Sequence, residues 1–132
     1  MANGSVITTL GHKVTLNRAW KATPDYSSPS QFKVGTGTNT PVAGDSNLQT
    51  PVTIDADQFK DFVATYPSLD ETNLQATVRG LLLSTEANTN NLTEFGLFNT
   101  DGTPKMFSRS VFTAVTKNSS TQVIFVEKDR LA

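Results

Sequence analysis

The sequence predicts a mainly β fold of the β-rich α+β class, an antiparallel meander or small sandwich with one or two short helices. From residue 74 onwards, short apolar runs alternate with turn residues, as in successive antiparallel strands. Charged residues make up only 17% of the chain and hydrophobic residues 36%, which suits strands with weakly charged surfaces. The length of 132 residues favours one domain, residues 1–132, with enough chain to bury a core.

The N-terminal segment, residues 7–22, predicts a helix. Leu10, Val14 and Trp20 can lie along one side of it, and Pro24 ends it. Its β-branched residues leave a strand open as the alternative for part of this stretch. After a short loop, QFKVGTG predicts a short strand that ends in glycines.

Residues 35–52, GTGTNTPVAGDSNLQTPV, predict a loop throughout because Gly, Pro, Asn and Asp recur along them. Eighteen residues without regular structure is long for a compact domain. Loops of this length are usually functional or lie against a partner. The helix-like segment and this Gly/Pro loop therefore occupy the chain to residue 52, ahead of the β-rich part from residue 74.

Residues 55–66, DADQFKDFVATY, predict a short amphipathic helix. Asp55 with Gln58 resembles a capping box, and Pro67 would close the segment. A strand over residues 55–63 is the alternative. The apolar residues with the spacing of one helical face are Phe59, Phe62, Val63 and Tyr66.

Four strands are predicted in succession: residues 74–84, the two arms of a hairpin over residues 94–110, and residues 121–127. Short links between them predict an antiparallel meander. Both faces of the hairpin and of the last strand are partly apolar, whereas a sheet with one solvated face alternates more cleanly. Either a second subunit covers the second face, or the hairpin belongs to the inner sheet of a small sandwich.

The hairpin has a predicted register. An Asp-Gly pair at residues 101–102 is placed at the centre of a two-residue turn, so counting outward pairs Gly96 with Phe107 and Glu94 with Arg109. The first pair leaves room for an aromatic ring over bare backbone. The second pair places opposite charges across the ladder, which at an exposed site is worth ~0.2–1 kcal/mol.

No pattern in the chain predicts catalysis, and we expect no enzyme, no cofactor and no metal site. The chain has no cysteine, and His12 is its only histidine. GTGTNT lacks the Lys-Ser/Thr of a phosphate-binding loop and the third glycine of a dinucleotide fingerprint. We expect the acidic pairs to be solvated surface carboxylates. The pairs that could act together on a glycosidic bond are Asp55 with Asp57, Asp70 with Glu71, and Glu127 with Asp129.

Charge and hydropathy exclude two classes of partner. The net charge is −1 and Lys and Arg are scattered, so no field attracts nucleic acid. The longest strongly apolar run, residues 81–83, is far too short for membrane insertion. The N-terminus lacks the features of a signal peptide. We therefore expect a protein made in the cytoplasm, without nucleic-acid or membrane partners.

Several motifs follow one another in a recognisable order. A helix-like N-terminus precedes FKVGTGTNTPVAGDSNL, and then come EAN, LTEFGLFN, FSRSVF and VTK. This order resembles small structural proteins of tailed bacteriophages, in which a GTGT segment precedes a Pro/Asp turn and an LTEFGLF strand pairs with an aromatic-x-R-x-V-F strand. The resemblance runs from Gly11 to Val126 and is weakest over residues 53–75.

The resemblance implies a virion protein of the tail or baseplate, synthesised in the host cytoplasm. It would act as an adaptor or attachment protein that contacts other tail, baseplate or fibre proteins, as a homo-oligomer or in a symmetric multi-copy assembly. From this resemblance we expect the loop to contact a partner. The loop residues assigned to this contact are Gly35, Thr36, Gly37, Thr38, Asn39, Pro41, Asp45 and Leu48. The hairpin residues that hold the fold are Glu94, Gly96, Asp101, Gly102, Phe107 and Arg109.

Two alternatives remain open at the level of sequence. A capsid decoration or head–tail neck protein would make the same kind of protein–protein contacts at another position in the particle. A host-surface carbohydrate- or receptor-binding module would need clustered aromatic and polar side chains. Trp20 is the only tryptophan, and Tyr26 and Tyr66 lie in different segments.

Overall fold

A computed structural model describes residues 4–131, and within them it shows two antiparallel β-sheets and one helix, which confirms the predicted class. In chain order the elements are β1 (Gly4–Ile7), α1 (Thr9–Trp20), β2 (Gln31–Gly35), β3 (Lys60–Asp61), β4 (Ser68–Asp70), β5 (Gln75–Leu82), β6 (Asn90–Phe98), β7 (Met106–Lys117) and β8 (Val123–Arg130). The strand order is β1-β7-β6-β2-β3 in the larger sheet and β4-β5-β8 in the smaller.

The predicted N-terminal helix is confirmed as α1. The hydroxyl of Thr8 caps it by accepting the N–H of Gly11 at 3.0 Å. A Cβ on Gly11 would lie 2.2 Å from the carbonyl oxygen of Phe107, so the close approach of α1 to β7 requires glycine there. The buried residues of α1, Gly11 and Val14, lie in its first half. Trp20 at its end is exposed and does not share the buried side of Val14.

The helix predicted over residues 55–66 is wrong. The segment forms bends and the two-residue strand β3, which pairs with β2. Its backbone N–H groups bond to other segments: Phe62 donates to Ser30, the residue before β2, at 3.1 Å, and Val63 donates to Arg79 of β5 at 2.9 Å. Tertiary hydrogen bonds therefore replace the helical ones, and the alternative strand is confirmed only over β3.

The two sheets form a small sandwich, and their strand order differs from that of a meander. β6 and β7 pair as predicted, but β5 pairs with β8 and not with β6. The rings of Phe32 and Phe95 lie 5.5 Å apart, and Phe95 stacks on Phe125 of the smaller sheet at 4.8 Å. The buried core comprises Phe32, Val34, Ile54, Phe62, Val78, Leu82, Ala87, Leu92, Phe95 and Leu97.

The other face of the larger sheet is covered by residues 35–52 of the same chain. The predicted loop is confirmed except at its ends, where Gly35 belongs to β2 and forms a β-bridge with Pro51. Two bonds of 3.0 Å continue this pairing, from Thr36 to Thr50 and from Val52 to Val34. Leu48 packs against Phe98 and Met106 on this face. Covering the second face of β2, β6 and β7 therefore requires no second subunit.

The hairpin of β6 and β7 is confirmed, but its predicted register is wrong. Arg109 lies opposite Gly96, where Phe107 was expected, and Glu94 lies opposite Val111. Neither residue of the Asp-Gly pair at 101–102 has the left-handed φ that a type I′ turn requires. A wider loop and an irregularity near the end of β6 shift the pairing instead.

Side-chain bonds explain why that hairpin loop is wide. The amide of Asn99 bonds within the loop: it accepts the N–H of Lys105 at 2.8 Å and donates to Asp101 at 2.8 Å. Asp101 also accepts the backbone N–H of Ser27 at 3.1 Å and its hydroxyl at 2.8 Å. These bonds tie the loop to another segment, so Asp101 does not serve as the centre of an isolated turn.

Candidate functional site

Glu94 and Arg109 form an ion pair that is buried between the larger sheet and the loop over residues 35–52. Oε1 of Glu94 lies 3.0 Å from Nη2 and 3.1 Å from Nε of Arg109, and the two side chains are 0% and 1% exposed. They are diagonal neighbours on one face, since Arg109 lies opposite Gly96, two residues from Glu94. The predicted pairing of these charges is thus found, but at a buried site.

The carboxylate of Glu94 also binds both arms of the loop. Its Oε2 accepts the N–H of Gly37 at 2.9 Å and that of Thr50 at 2.8 Å. Its Oε1 accepts the N–H of Gln49 at 2.9 Å. A carboxylate offers about four acceptor positions, so three amides and the guanidinium nearly saturate it. Glu94 therefore fixes the base of the loop.

The two glycines of the GTG motif make room for this carboxylate. A Cβ on Gly35 would lie 2.5 Å from Oε2 of Glu94, and a Cβ on Gly37 would lie 2.6 Å from the same atom. The hydroxyl of Thr93 donates to the carbonyl oxygen of Gly37 at 2.7 Å and adds a further bond to the loop. The glycine spacing and the glutamate thus belong to one structure, which sequence reasoning did not connect.

The guanidinium of Arg109 holds the tip of the loop. Its Nη2 donates to Oδ1 of Asn39 at 2.6 Å, and its Nη1 donates to Oδ2 of Asp45 at 3.1 Å. Asp45 in turn accepts the N–H of Val42 at 3.0 Å. Because a guanidinium has a planar fork of donors, one side chain can bind both sides of the tip. We call Glu94 and Arg109, with the loop groups they bind, the clamp.

The clamp brings together five of the sequence-predicted site residues, namely Gly37, Asn39, Asp45, Glu94 and Arg109. Asp101 and Gly102 lie elsewhere, in the wide loop between β6 and β7, and Phe107 packs against the core. Only part of the predicted contact loop is therefore available to a partner. In the loop, the buried predicted residues are Gly35, Gly37 and Leu48, the half-buried ones are Thr36, Pro41 and Asp45, and the exposed ones are Thr38 and Asn39.

Lys33 is a buried residue near the clamp that sequence reasoning missed. Its Nζ lies 4.4 Å from the ring centroid of Phe59 and 5.0 Å from that of Phe98, and it donates to Oδ1 of Asn47 at 3.2 Å. Burial lowers the pKa of its ammonium group, against a smaller opposing effect of Asp57. The alternation in QFKVG already assigns Lys33 to the face opposite Phe32, but it does not reveal that the loop covers this face.

The outer face of the smaller sheet carries exposed apolar side chains. Ile124 is 57% exposed and Val126 is 52% exposed, and Ile124 lies directly opposite Leu81 of β5. The exposed cations Lys128 and Arg130 follow on the same face of β8. We call Leu81, Leu83, Ile124 and Val126 the outer patch.

One of the predicted carboxylate pairs is brought into the interior. Glu127 lies on the inner side of β8, where its Oε2 accepts the hydroxyl of Ser108 in the larger sheet at 2.7 Å. Burial, with a smaller effect of Asp129, raises the pKa of the Glu127 carboxyl to about 8. The members of the other two pairs are exposed.

Residues 4–131 contain no group of three or more His, Cys, Asp or Glu side chains that could hold a metal ion. Over the same residues, no helix has the length and apolar character needed to cross a membrane.

Comparison of this chain with protein-family models, curated proteins and solved structures found no match. The likeness to bacteriophage structural proteins therefore rests on the motifs themselves.

Proposed function

We propose that this protein is a structural component of a bacteriophage virion, an adaptor or attachment protein of the tail or baseplate that acts through protein–protein contacts. One observation carries the proposal. The GTG motif, the glutamate of LTEFGLF and the arginine of FSRSVF, which together define the resemblance, converge on the clamp. In the clamp, these motifs together hold residues 35–52 in a fixed conformation.

A loop held in this way is a preorganised contact surface. Its main chain is fixed by buried, charge-assisted hydrogen bonds at Glu94 and Arg109, so a partner would not bear the full entropy of ordering it. The tip also carries exposed side chains that can contact a partner, although Oδ1 of Asn39 is bound by Arg109. The exposed residues of the tip are Thr38, Asn39, Thr40, Val42, Ala43 and Gly44.

The outer patch supplies a second contact surface on the opposite side of the sandwich. The loop lies on the outer face of the larger sheet, whereas the patch lies on the outer face of the smaller one. Two surfaces on opposite faces suit a protein that joins two neighbours. Because Lys128 and Arg130 flank the patch, its neighbour is expected to present apolar side chains beside acidic ones.

A capsid decoration or head–tail neck protein would use these surfaces in the same way at another position in the particle. The proposal for the tail or baseplate therefore depends on the motif order, and the contact role depends on the clamp.

Incorporation into particles tests the contact role. The double variant Thr40→Arg, Val42→Asp changes two exposed side chains at the tip and leaves the clamp residues intact. We expect its amount in purified particles to fall at least about tenfold, the factor that a loss of ~1.4 kcal/mol in contact energy produces. Immunoblotting of purified particles against a standard curve measures this amount.

The matched control is Thr113→Arg, Ala114→Asp, which makes the same charge changes at exposed positions of β7. It should enter particles at the level of the unchanged protein. Equal incorporation of the loop variant and this control would show that the tip of the loop makes no essential contact.

A further inference from the structure

A second concave surface lies away from the clamp, between the C-terminal half of α1 and the segment that follows it. This cavity is a shallow groove, largely open to solvent, with a volume of about 450 Å³, within the range of small-molecule clefts, ~300–1,000 Å³. Trp20, which is 83% exposed, and the half-buried Tyr26 both contribute to it. The residues that line it are Lys13, Leu16, Asn17, Trp20, Lys21 and Tyr26.

The walls of this cavity are held in place by hydrogen bonds between α1 and the following segment. Nδ2 of Asn17 donates to Oδ2 of Asp25 at 2.9 Å, and Oδ1 of Asn17 accepts the N–H of Asp25 at 2.8 Å. Arg18 donates to the carbonyl oxygen of Tyr26 at 2.7 Å. These bonds fix the end of α1, which carries Trp20, against the segment that carries Tyr26.

Packing within the chain does not explain the position of Trp20. A tryptophan side chain gains most from burial, yet this one leaves most of its surface in water. An exposed aromatic side chain is commonly a binding residue because it provides a large contact area and has few rotatable bonds. Tyr26 and Lys13 add hydroxyl and ammonium groups around it, whereas the Asn17 amide is bonded to Asp25.

We infer that this cavity is a carbohydrate-binding site that takes one or two pyranose rings. The axial C–H groups of a pyranose form an apolar face that packs on an indole ring, while its hydroxyl groups bond to phenol and ammonium groups such as those of Tyr26 and Lys13. Lys21 is paired with Asp25 at 2.6 Å, so the cavity does not present the concentrated positive charge that a polyphosphate would need. The inference rests on the cavity and stands independently of the proposed virion function.

A protein partner fits this cavity less well. Stable protein interfaces bury ~1,200–2,000 Å² in total, whereas this cavity is lined by the six side chains named above. The outer patch, which is apolar and lies on a sheet face, is the surface better suited to a protein.

A glycan array of neutral and acidic mono- to tetrasaccharides, probed with the intact protein, identifies the ligand. Since Trp20 is the only tryptophan, its fluorescence reports directly on the cavity. We expect the array-positive sugar to shift or quench this emission in a saturable way. An array without bound spots would overturn the inference.

Variants locate the site by calorimetric titration with the array-positive sugar. Trp20→Ala should weaken binding at least about tenfold, and Trp20→Phe, which keeps a ring, should weaken it less. The control Leu69→Ala removes an exposed side chain of the smaller sheet and should bind normally. Thermal unfolding checks that each variant is folded. Equal affinity of Trp20→Ala and the control would overturn the inference, as would a Trp20-dependent complex with a protein in the absence of any glycan binding.

Discussion

At the scale of single residues, the main feature is the burial of two opposite charges at Glu94 and Arg109. Taking an ion pair out of water costs several kcal/mol, and good geometry with further hydrogen bonds is needed to offset that cost. The clamp meets this condition because three backbone amides complete the carboxylate and two loop residues complete the guanidinium. The pair thus secures a particular loop conformation more than it adds net stability.

Removing one charge of the pair should therefore destabilise the protein strongly. We expect Glu94→Gln to lower the free energy of unfolding by ~3–5 kcal/mol, since it removes the fully buried counter-charge of Arg109 and leaves only the partly exposed carboxylate of Asp45. Urea denaturation measures the change. The control Asp25→Asn breaks an exposed ion pair with Lys21 and should change stability little.

Exchanging the two charges should not restore stability. In Glu94→Arg, Arg109→Glu, the amides of Gly37, Gln49 and Thr50 would face a guanidinium, which cannot accept their hydrogen bonds. Recovery of most of the lost stability in the double variant would show that the simple cross-strand ion pair dominates and that the loop amides contribute little.

Glu127 makes stability depend on pH. Its folded-state pKa of about 8 lies above the ordinary value of 4.5, so the folded state binds its proton more tightly than the unfolded state does. The stability linked to this proton is fully present below pH 4.5 and is lost as the pH rises towards 8. The groups that face Glu127 are Asp129, which has the same charge sign, and the hydroxyl of Ser108.

We expect Glu127→Gln to flatten this pH dependence and to stabilise the protein at pH 8, on the order of a few kcal/mol relative to the unchanged chain. Thermal unfolding from pH 4 to 9 measures it. Glu71→Gln, at an exposed position, is the control. An increase in the stability of the unchanged protein between pH 5 and 8 that is absent in Glu127→Gln would contradict a raised pKa of Glu127.

At the scale of elements, the loop over residues 35–52 shows how side chains can replace secondary structure. Its backbone bonds go to Glu94, to its own second arm and to the side chains of Gln49 and Asp45. Gly37 and Gly44 belong to the same loop but have different surroundings. An added Cβ would meet Oε2 of Glu94 at Gly37 and nothing within 4 Å at Gly44.

This difference gives a matched pair of substitutions. Gly37→Ala should lower stability by ~1–3 kcal/mol, because the methyl group displaces the carboxylate or the loop. Gly44→Ala should be neutral or slightly stabilising, within ~1 kcal/mol. Urea denaturation and limited proteolysis of the loop measure both. Similar losses for the two variants would mean that the clamp does not depend on the space at Gly37.

The elements that local pattern governs were predictable, and those that tertiary contacts govern were not. The helix α1, the strand β2 and the existence of the hairpin follow from apolar spacing and breaker residues, whereas the Asp-Gly pair predicted the wrong register. The segment 55–66 has a helical spacing of apolar residues, but Phe62 is buried in the core while Phe59 packs against Phe98 of the second cluster. A segment that contributes to both faces of one sheet cannot be a helix with a single apolar face.

At the scale of the whole molecule, strand order was the least predictable property. A sequence of four strands is compatible with a meander, and only the packing of two apolar sheet faces selects the pairing of β5 with β8. The clamp was partly predictable, since Glu94 and Arg109 were paired. Their burial, however, depends on loop residues that lie 44 to 70 positions earlier in the chain, and hydrophobic periodicity does not encode such contacts.

The two candidate contact surfaces, the tip of the clamped loop and the outer patch, lie on opposite faces of the sandwich. If these two surfaces join two neighbouring proteins, then this protein must be present in the finished particle. Immunogold electron microscopy on particles of the encoding virus, intact and disrupted, tests that claim most directly. We expect label at the tail or baseplate. Label confined to the head or neck would favour the decoration or neck alternative, and no label on either preparation would contradict a role in the virion.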